Sequence, residues 1–395
     1  MKRIVILCDG TWNHAASDHP TNVVRLAAAL RPVDSDDVPQ VPVYVPGVGS
    51  GRRGVTAMGR RVDRLLGGAL GLGLMANVVE AYTDLVFLYE PGDEIFVFGF
   101  SRGAYTARSL VGMIRATGLL SRSSLDLLPR VIARYRSREP DTHPRTPASR
   151  DFRLEVSPYV MTHPKDAEIY EAAARAAGRS MPHLLRIAYL GVWDTVGALG
   201  IPSRFAIGRL LNRRHAFHDA TLSSMVRAAR HAVALDERRR EYEPTLWANL
   251  QTRNAGHDPA DPPYRETHFL GDHGGVGGGG PIEATSAIAL DWIMDGAAAQ
   301  GLAFDPGAQA RIEAVRDPLG PLTNSPEPKG GLGAAILRAL GRDRPGPAEI
   351  DQLHPTVKER WAFAHEEWTS YRPGSLAHLE TDLAAWRDAQ AGDVT

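Results

Sequence analysis

The sequence predicts the α/β class, a mostly parallel sheet flanked by helices. Three observations carry that expectation. Short apolar runs rich in β-formers alternate with segments of helical spacing from the N-terminus to about residue 300. The run at 95–98 passes directly into Gly99-Phe100-Ser101-Arg102-Gly103 and then into a helical stretch, the strand–turn–helix setting of a nucleophile elbow. Polar residues able to do chemistry, Asp9, Ser101 and Asp194, stand just past strand ends, where open α/β sheets build their sites.

The elements follow in order. Residues 2–8 form a buried strand, followed by the loop 9–13. Residues 22–30 suit a helix with Val23, Leu26, Ala27 and Leu30 on one face. Residues 40–45 are a short strand interrupted by proline, and Gly47-Val48-Gly49-Ser50-Gly51 is a glycine-rich loop. Residues 77–89 place Val78, Tyr82, Leu85 and Leu88 at core spacing. The elbow strand follows, then a helix carrying Ala104, Ala107, Leu110, Val111 and Ile114. Residues 121–183 are charged and proline-rich with helical pieces, an insertion or cap in which 138–150 has a disordered composition. A strand at 184–192 resumes the core and ends at Trp193-Asp194-Thr195-Val196. Residues 220–231 and the charged stretch after them are expected to be helical. Residues 267–271 form a last short strand, 282–300 a helix, and 318–333 a Pro/Gly-rich linker. The expected division is a catalytic-type domain over 1–316 and a linker with C-terminal extension over 317–395.

Composition sets bounds. The 395 residues are 43% hydrophobic, enough for a large core, and the net charge of −1 gives no electrostatic case for nucleic acid. The basic clusters Arg52-Arg53, Arg60-Arg61, Arg213-Arg214 and Arg238-Arg239-Arg240 read as solvated faces. A single cysteine, Cys8, excludes an internal disulfide and a multi-cysteine metal site. The first apolar run ends at Asp9, too soon for a signal peptide, so the expectation is a chain cytoplasmic as synthesised. The longest uncharged stretch, 65–79, is too short to span a bilayer, which leaves peripheral membrane contact open.

A serine hydroxyl needs a base, and the base an orienting acid. In elbow-bearing hydrolases the chain order is serine, acid, histidine. Ser101 is the candidate nucleophile and Asp194 the candidate acid. His273 follows the last strand and sits in a glycine-rich loop, which makes it the favoured base; His231 and His354 are the competing histidines. The oxyanion donors expected are the backbone N–H of Arg102, just past the serine, and that of Gly10 or Thr11 after the first strand, with the loop 47–51 as a second choice. Asp9-Gly10-Thr11 resembles half of a phosphatase signature, D-x-D-G-T, yet its nucleophilic position is Leu7. Gly49-Ser50-Gly51-Arg52-Arg53-Gly54 fits G-x-G-x-x-G without a βαβ setting, and the glycines at 274–280 lack the G-K-[ST] of a phosphate loop. No H-E-x-x-H helix pattern occurs, and no cofactor is implied.

An ordered set of segments resembles a bacterial α/β-hydrolase family that includes the phospholipase effectors of type VI secretion systems. They are Asp9-Gly10-Thr11-Trp12-Asn13, Thr21-Asn22-Val23, Gly71-Leu72-Gly73-Leu74, Tyr89-Glu90-Pro91-Gly92-Asp93, the elbow through Arg108, Gly191-Val192-Trp193-Asp194-Thr195-Val196 and Ala234-Leu235-Asp236-Glu237. The resemblance implies Ser101 as nucleophile, Asp194 as acid and His273 as base. The family's G-x-H-S-D-V-G-G-G-like segment reads Gly271-Asp272-His273-Gly274-Gly275-Val276-Gly277-Gly278-Gly279 here, with Gly274 and Gly275 replacing Ser and Asp. It also implies an ester or phospholipid substrate and allows delivery by a type VI secretion system. Two other functions stand beside it: a weak or inactive hydrolase fold used for binding, and a metal-dependent phosphoesterase centred on Asp9.

Overall fold

The computed structural model describes residues 1–11, 13–47, 71–197, 221–324, 341–363 and 370–392. The loop 48–51, the G-x-G-x-x-G stretch, the clusters at 52–53, 60–61 and 213–214, and the linker beyond 324 lie outside the described residues.

Six strands form one parallel sheet: β1 (Arg3–Cys8), β2 (Gln40–Val45), β3 (Glu94–Phe100), β6 (Ile187–Trp193), β7 (Val226–Ala234) and β8 (Tyr264–Phe269). Their spatial order is β2-β1-β3-β6-β7-β8, with β3 and β6 at the centre. A separate pair, β4 (Val160–Met161) and β5 (His183–Leu184), lies in the insertion. Described helices are α1 (Asn22–Ala29), α2 (Gly71–Leu88), α3 (Arg102–Thr117), α4 (Leu128–Arg136), α5 (Pro147–Val156) and α6 (Ala167–Ala176), followed by α7 (Leu250–Asn254), α8 (His273–Gly277), α9 (Ala284–Ala298), α10 (Pro306–Ala314), α11 (Pro355–Ala362) and α12 (Glu380–Gly392).

Strand alternation divides the core. In β1, Ile4, Ile6 and Cys8 face one layer, joined by Tyr82 and Leu85 of α2 and Leu110 and Ile114 of α3. Val5 and Leu7 face the other, with Leu26 of α1 and Leu290 and Ile293 of α9. Both faces are covered, which is why the central strands are near-continuous apolar runs. A third cluster joins Leu235 and Leu270 of the sheet end to Val357 and Trp361 of α11 and Leu383 of α12. The C-terminal segment thus packs on the end of the sheet where the strands terminate, and Leu353 bridges to His268 of β8. No described helix is long and apolar enough to cross a membrane.

Three expectations are corrected. Residues 226–234, expected to be helical, form the buried strand β7. Its alanines mimic a helix former, but a strand covered on both faces takes small residues equally well. Residues 138–150 are not disordered: Pro140 and Pro147 open a 3₁₀ turn and α5, and Arg134 bonds the Asp141 carbonyl and Ser149 across them. Those prolines occupy first helical positions, where a missing N–H costs nothing. The strand expected over 184–192 is split, since Leu184 pairs with Met161 and the central strand starts at Ile187.

The elbow depends on close backbone approach. A Cβ at Gly103 would stand 2.1 Å from the Cys8 carbonyl oxygen. Gly103→Ala is therefore expected to destabilise the fold by about 3 kcal/mol, read as a lowered urea midpoint. An unchanged midpoint would count against this packing.

Candidate active site

Three neighbouring chain segments past β3, β6 and β8 converge. Ser101 leaves β3 with φ 59° and ψ −123°, and its N–H is anchored to the Trp193 carbonyl at 3.0 Å. Such a backbone conformation is costly for a non-glycine residue, of order 1–3 kcal/mol, and persists because β3 and α3 hold both ends. Asp194 leaves β6 with φ 37°, its N–H bonded to Ala232 O at 2.8 Å and its Oδ1 accepting from Ala234 N at 3.0 Å. The β6 and β7 backbones thus fix the carboxylate before any side chain touches it.

His273 opens α8. Asp272 caps the short helix, its Oδ1 accepting from Gly275 N at 2.7 Å and Asn324 N at 3.1 Å. Asn324 Nδ2 donates to Gly274 O at 3.1 Å, and Asp272 N to Leu322 O at 2.9 Å. A Cβ at Gly275 would lie 2.9 Å from Leu322 O. The 320–324 chain therefore occupies space that a larger residue at 275 would need, and it pins the glycine loop. The imidazole lies between the rings of Phe100 and Tyr242, each 4.6 Å away by centroid.

The His273 ring joins the other two residues. Nδ1 lies 2.6 Å from Asp194 Oδ2, and Nε2 lies 2.8 Å from Ser101 Oγ. An ionised carboxylate only accepts, so Nδ1 carries the proton and Nε2 accepts from the serine hydroxyl. Ser101 and His273 are each 6% exposed and Asp194 0%. Burial alone would raise the Asp194 carboxyl. The Arg344 guanidinium beside it and the His273 hydrogen bond outweigh burial and hold it well below the usual carboxylate range.

Of the expected oxyanion donors, Arg102 heads α3, where an N–H has no partner within the helix. Gly10 lies against the elbow, since a Cβ there would be 3.4 Å from Ser101 Cβ. Its N–H, however, donates to Asp9 Oδ1 at 2.7 Å, so in this structure it is not open to a developing charge. Thr11 is the next donor along, and Gly47 approaches the Gly10–Thr11 backbone too closely for any side chain.

The competing histidines are committed elsewhere. His231 stands on β7, not on a helix; its Nδ1 pairs with Glu266 at 2.9 Å and its Nε2 accepts from Thr195 N at 3.2 Å. His354 caps α11 and stacks on Phe269 at 4.5 Å, and burial pushes its pKa down to about 4. Asp9 is buried, which raises its carboxyl, and it accepts from Gly10 N, Thr21 Oγ1 and Tyr44 Oη. Burial also raises the Cys8 thiol, so it carries little thiolate character. Among the described residues no group of three or more His, Cys, Asp or Glu side chains is placed to hold a metal ion. A cavity of about 340 Å³ between α3, α4 and the chain before β7 is lined by Arg108, Arg115, Arg134 and Arg138 among others; Ser101, Asp194 and His273 do not border it.

Three contributors escaped the sequence reading. Tyr242 and Asn324 touch the histidine and its loop, and Arg344 meets Asp194 with Nη1 at 2.6 Å from Oδ1 and Nη2 at 3.0 Å from Oδ2. Glu237, whose Oε2 accepts from His273 N at 3.2 Å, did stand in a recognised segment, Ala234-Leu235-Asp236-Glu237.

A family model described as "T6SS, Phospholipase effector Tle1-like, catalytic domain" matches residues 2–296. An uncharacterized protein of Saccharomyces cerevisiae is 30% identical over 248 residues, a region that is 61% of this chain and 32% of that protein. This chain thus matches only about a third of that relative's length. A solved structure of an uncharacterized protein from Pseudomonas aeruginosa is 16% identical with a TM-score of 0.42, covering 99% of this chain and 59% of that one. The Tle1 effector bound to the VgrG spike of a type 6 secretion system is 17% identical with a TM-score of 0.34, covering 71% and 52%.

Proposed function

The chain belongs to the Tle1-like phospholipase effector catalytic-domain family, and on that premise we propose that it is a serine esterase acting on acyl esters of lipids, phospholipids above all. The observation that carries this reading is the continuous hydrogen-bonded chain Ser101–His273–Asp194.

The hydroxyl of Ser101 attacks the ester carbonyl while His273 Nε2 takes its proton. Asp194 stabilises the imidazolium that results. The N–H groups of Arg102 and Thr11 receive the developing oxyanion, helped by the positive end of α3. The intermediate collapses as the C–O bond to the alcohol breaks and His273 returns its proton to that oxygen. Water then attacks the acyl-serine, giving a proton to His273; the acyl C–Oγ bond breaks, His273 returns that proton to Ser101 Oγ, and the free acid leaves. The serine proton moves along the existing Ser101–His273 hydrogen bond, and no cofactor enters the scheme. Contact with a membrane surface and delivery by a type VI secretion system belong to the same reading.

The other two readings have less support. A purely binding role drew on Gly274 and Gly275, yet Asp272 and Asn324 hold that loop with His273 within reach of both partners. A phosphoesterase centred on Asp9 would need a carboxylate that here accepts three hydrogen bonds.

The test is a panel of simple esters and phospholipids, with released acids identified by mass spectrometry and a chelator arm. Fatty acid release that survives chelation is expected. A well-folded protein that releases no acid overturns the proposal. Activity that chelator abolishes and Ser101→Ala spares replaces it with the Asp9 reading.

A further inference from the structure

Buried carboxylates need compensation, and Asp194 has two sources of it. The first is the His273 N–H. The second arrives from 150 residues away in sequence: Arg344, 9% exposed, meets both carboxylate oxygens. The guanidinium also donates to the carbonyls of Ala234 and Tyr242, so the end of β7 and the segment after it hold its plane. The surrounding chain is anchored in turn. Arg342 N donates to Arg238 O at 3.0 Å, Arg238 pairs with Asp343 at 2.9 Å, and Tyr371 Oη bonds Asp236 at 2.8 Å. Arg342, Asp343, Arg344 and Tyr371 all lie beyond residue 296, where the family match ends.

We propose that Arg344 is a positioning residue of the active site, fixing the orientation of Asp194 and through it that of the His273 ring. The inference rests on the serine-hydrolase reading above. One physical consequence follows. With Oδ1 and Oδ2 both bound by one planar fork, the carboxylate cannot rotate away from Nδ1.

Other groups around the ring differ in kind. Glu237 meets the His273 backbone N–H and is paired with Arg239, Asp272 caps α8, and Tyr242 lies on the ring face with Arg102 nearby. His268 lies behind Asp194 and Arg344, and burial holds its pKa down to about 4, so it is neutral at working pH. Among the described residues, Arg344 is the cation in contact with the acid.

The experiment measures the rate of Ser101 acylation by a fluorophosphonate against probe concentration, with the urea midpoint beside it, in wild type, Arg344→Gln and Arg344→Lys. Removing the fork is expected to lower the maximal acylation rate about tenfold or more with the half-saturating probe concentration little changed. Lysine keeps a charge but not the fork, so its maximal rate is expected to fall about tenfold as well. Folded Arg344→Gln with the wild-type maximal rate overturns the proposal. If Arg344→Gln does not fold, a wild-type maximal rate in Arg344→Lys overturns it instead. Wild type that takes no adduct overturns the hydrolase reading itself, and with it the role given to Arg344.

Discussion

Ser101→Ala is expected to lower ester turnover by about 10⁴-fold or more while leaving the fold intact. The substitution removes one oxygen atom, the one 2.8 Å from His273 Nε2. Alanine at φ 59° carries about the same backbone strain as serine, and the anchor from residue 101 N to Trp193 O remains. A stability change within about 1 kcal/mol is therefore expected beside the loss of turnover. The two readouts separate chemistry from structure. Loss of turnover with an unshifted urea midpoint assigns the hydroxyl to the reaction. Retained turnover in the folded variant would leave the strained elbow conformation with no chemical purpose.

Asp194→Asn is expected to have the second largest effect and, unlike the first, to strike both activity and stability. An asparagine amide can donate to Nδ1, which moves the ring proton to Nε2 and deprives Ser101 of its acceptor. A loss of about 10⁴-fold in kcat is expected from the wrong tautomer alone. Here Arg344 is also left buried without its anion. Breaking one half of a buried ion pair typically costs about 3–5 kcal/mol. The expected result is a large drop in kcat together with a clearly lower urea midpoint. Combining it with Arg344→Gln should restore part of the stability but none of the turnover, since no unpaired cation is then buried. Full additivity of the two substitutions would argue against their direct coupling.

Much of this site was legible because its signals are local. The elbow announces itself through glycines whose absence of Cβ the backbone requires, and β1, β3 and β6 through apolar runs buried on both faces. Asp194 and His273 follow strand ends, and the sheet brings those ends together. What escaped has physical reasons. The alanines of β7 satisfy a helix and a doubly covered strand alike, so composition could not separate them. His231 consequently looked like a helical residue when it is a satisfied core histidine between Glu266 and Thr195. Arg344 follows a Pro/Gly-rich stretch and has no spacing that links it to residue 194; a charge pair closed by tertiary folding leaves no periodic trace. Gly10 shows the opposite failure. Its position after β1 was read correctly, but the adjacent Asp9 side chain turns back onto its N–H, a local competition that chain order does not reveal.

In the proposed mechanism Ser101 is a nucleophile activated by a folded Ser–His–Asp chain. Treating the native protein with a fluorophosphonate and mapping the adduct by mass spectrometry tests it most directly. One covalent adduct on Ser101, absent after denaturation and absent in His273→Ala, is the outcome expected. A well-folded protein that takes no adduct, or takes it on another serine, contradicts the claim.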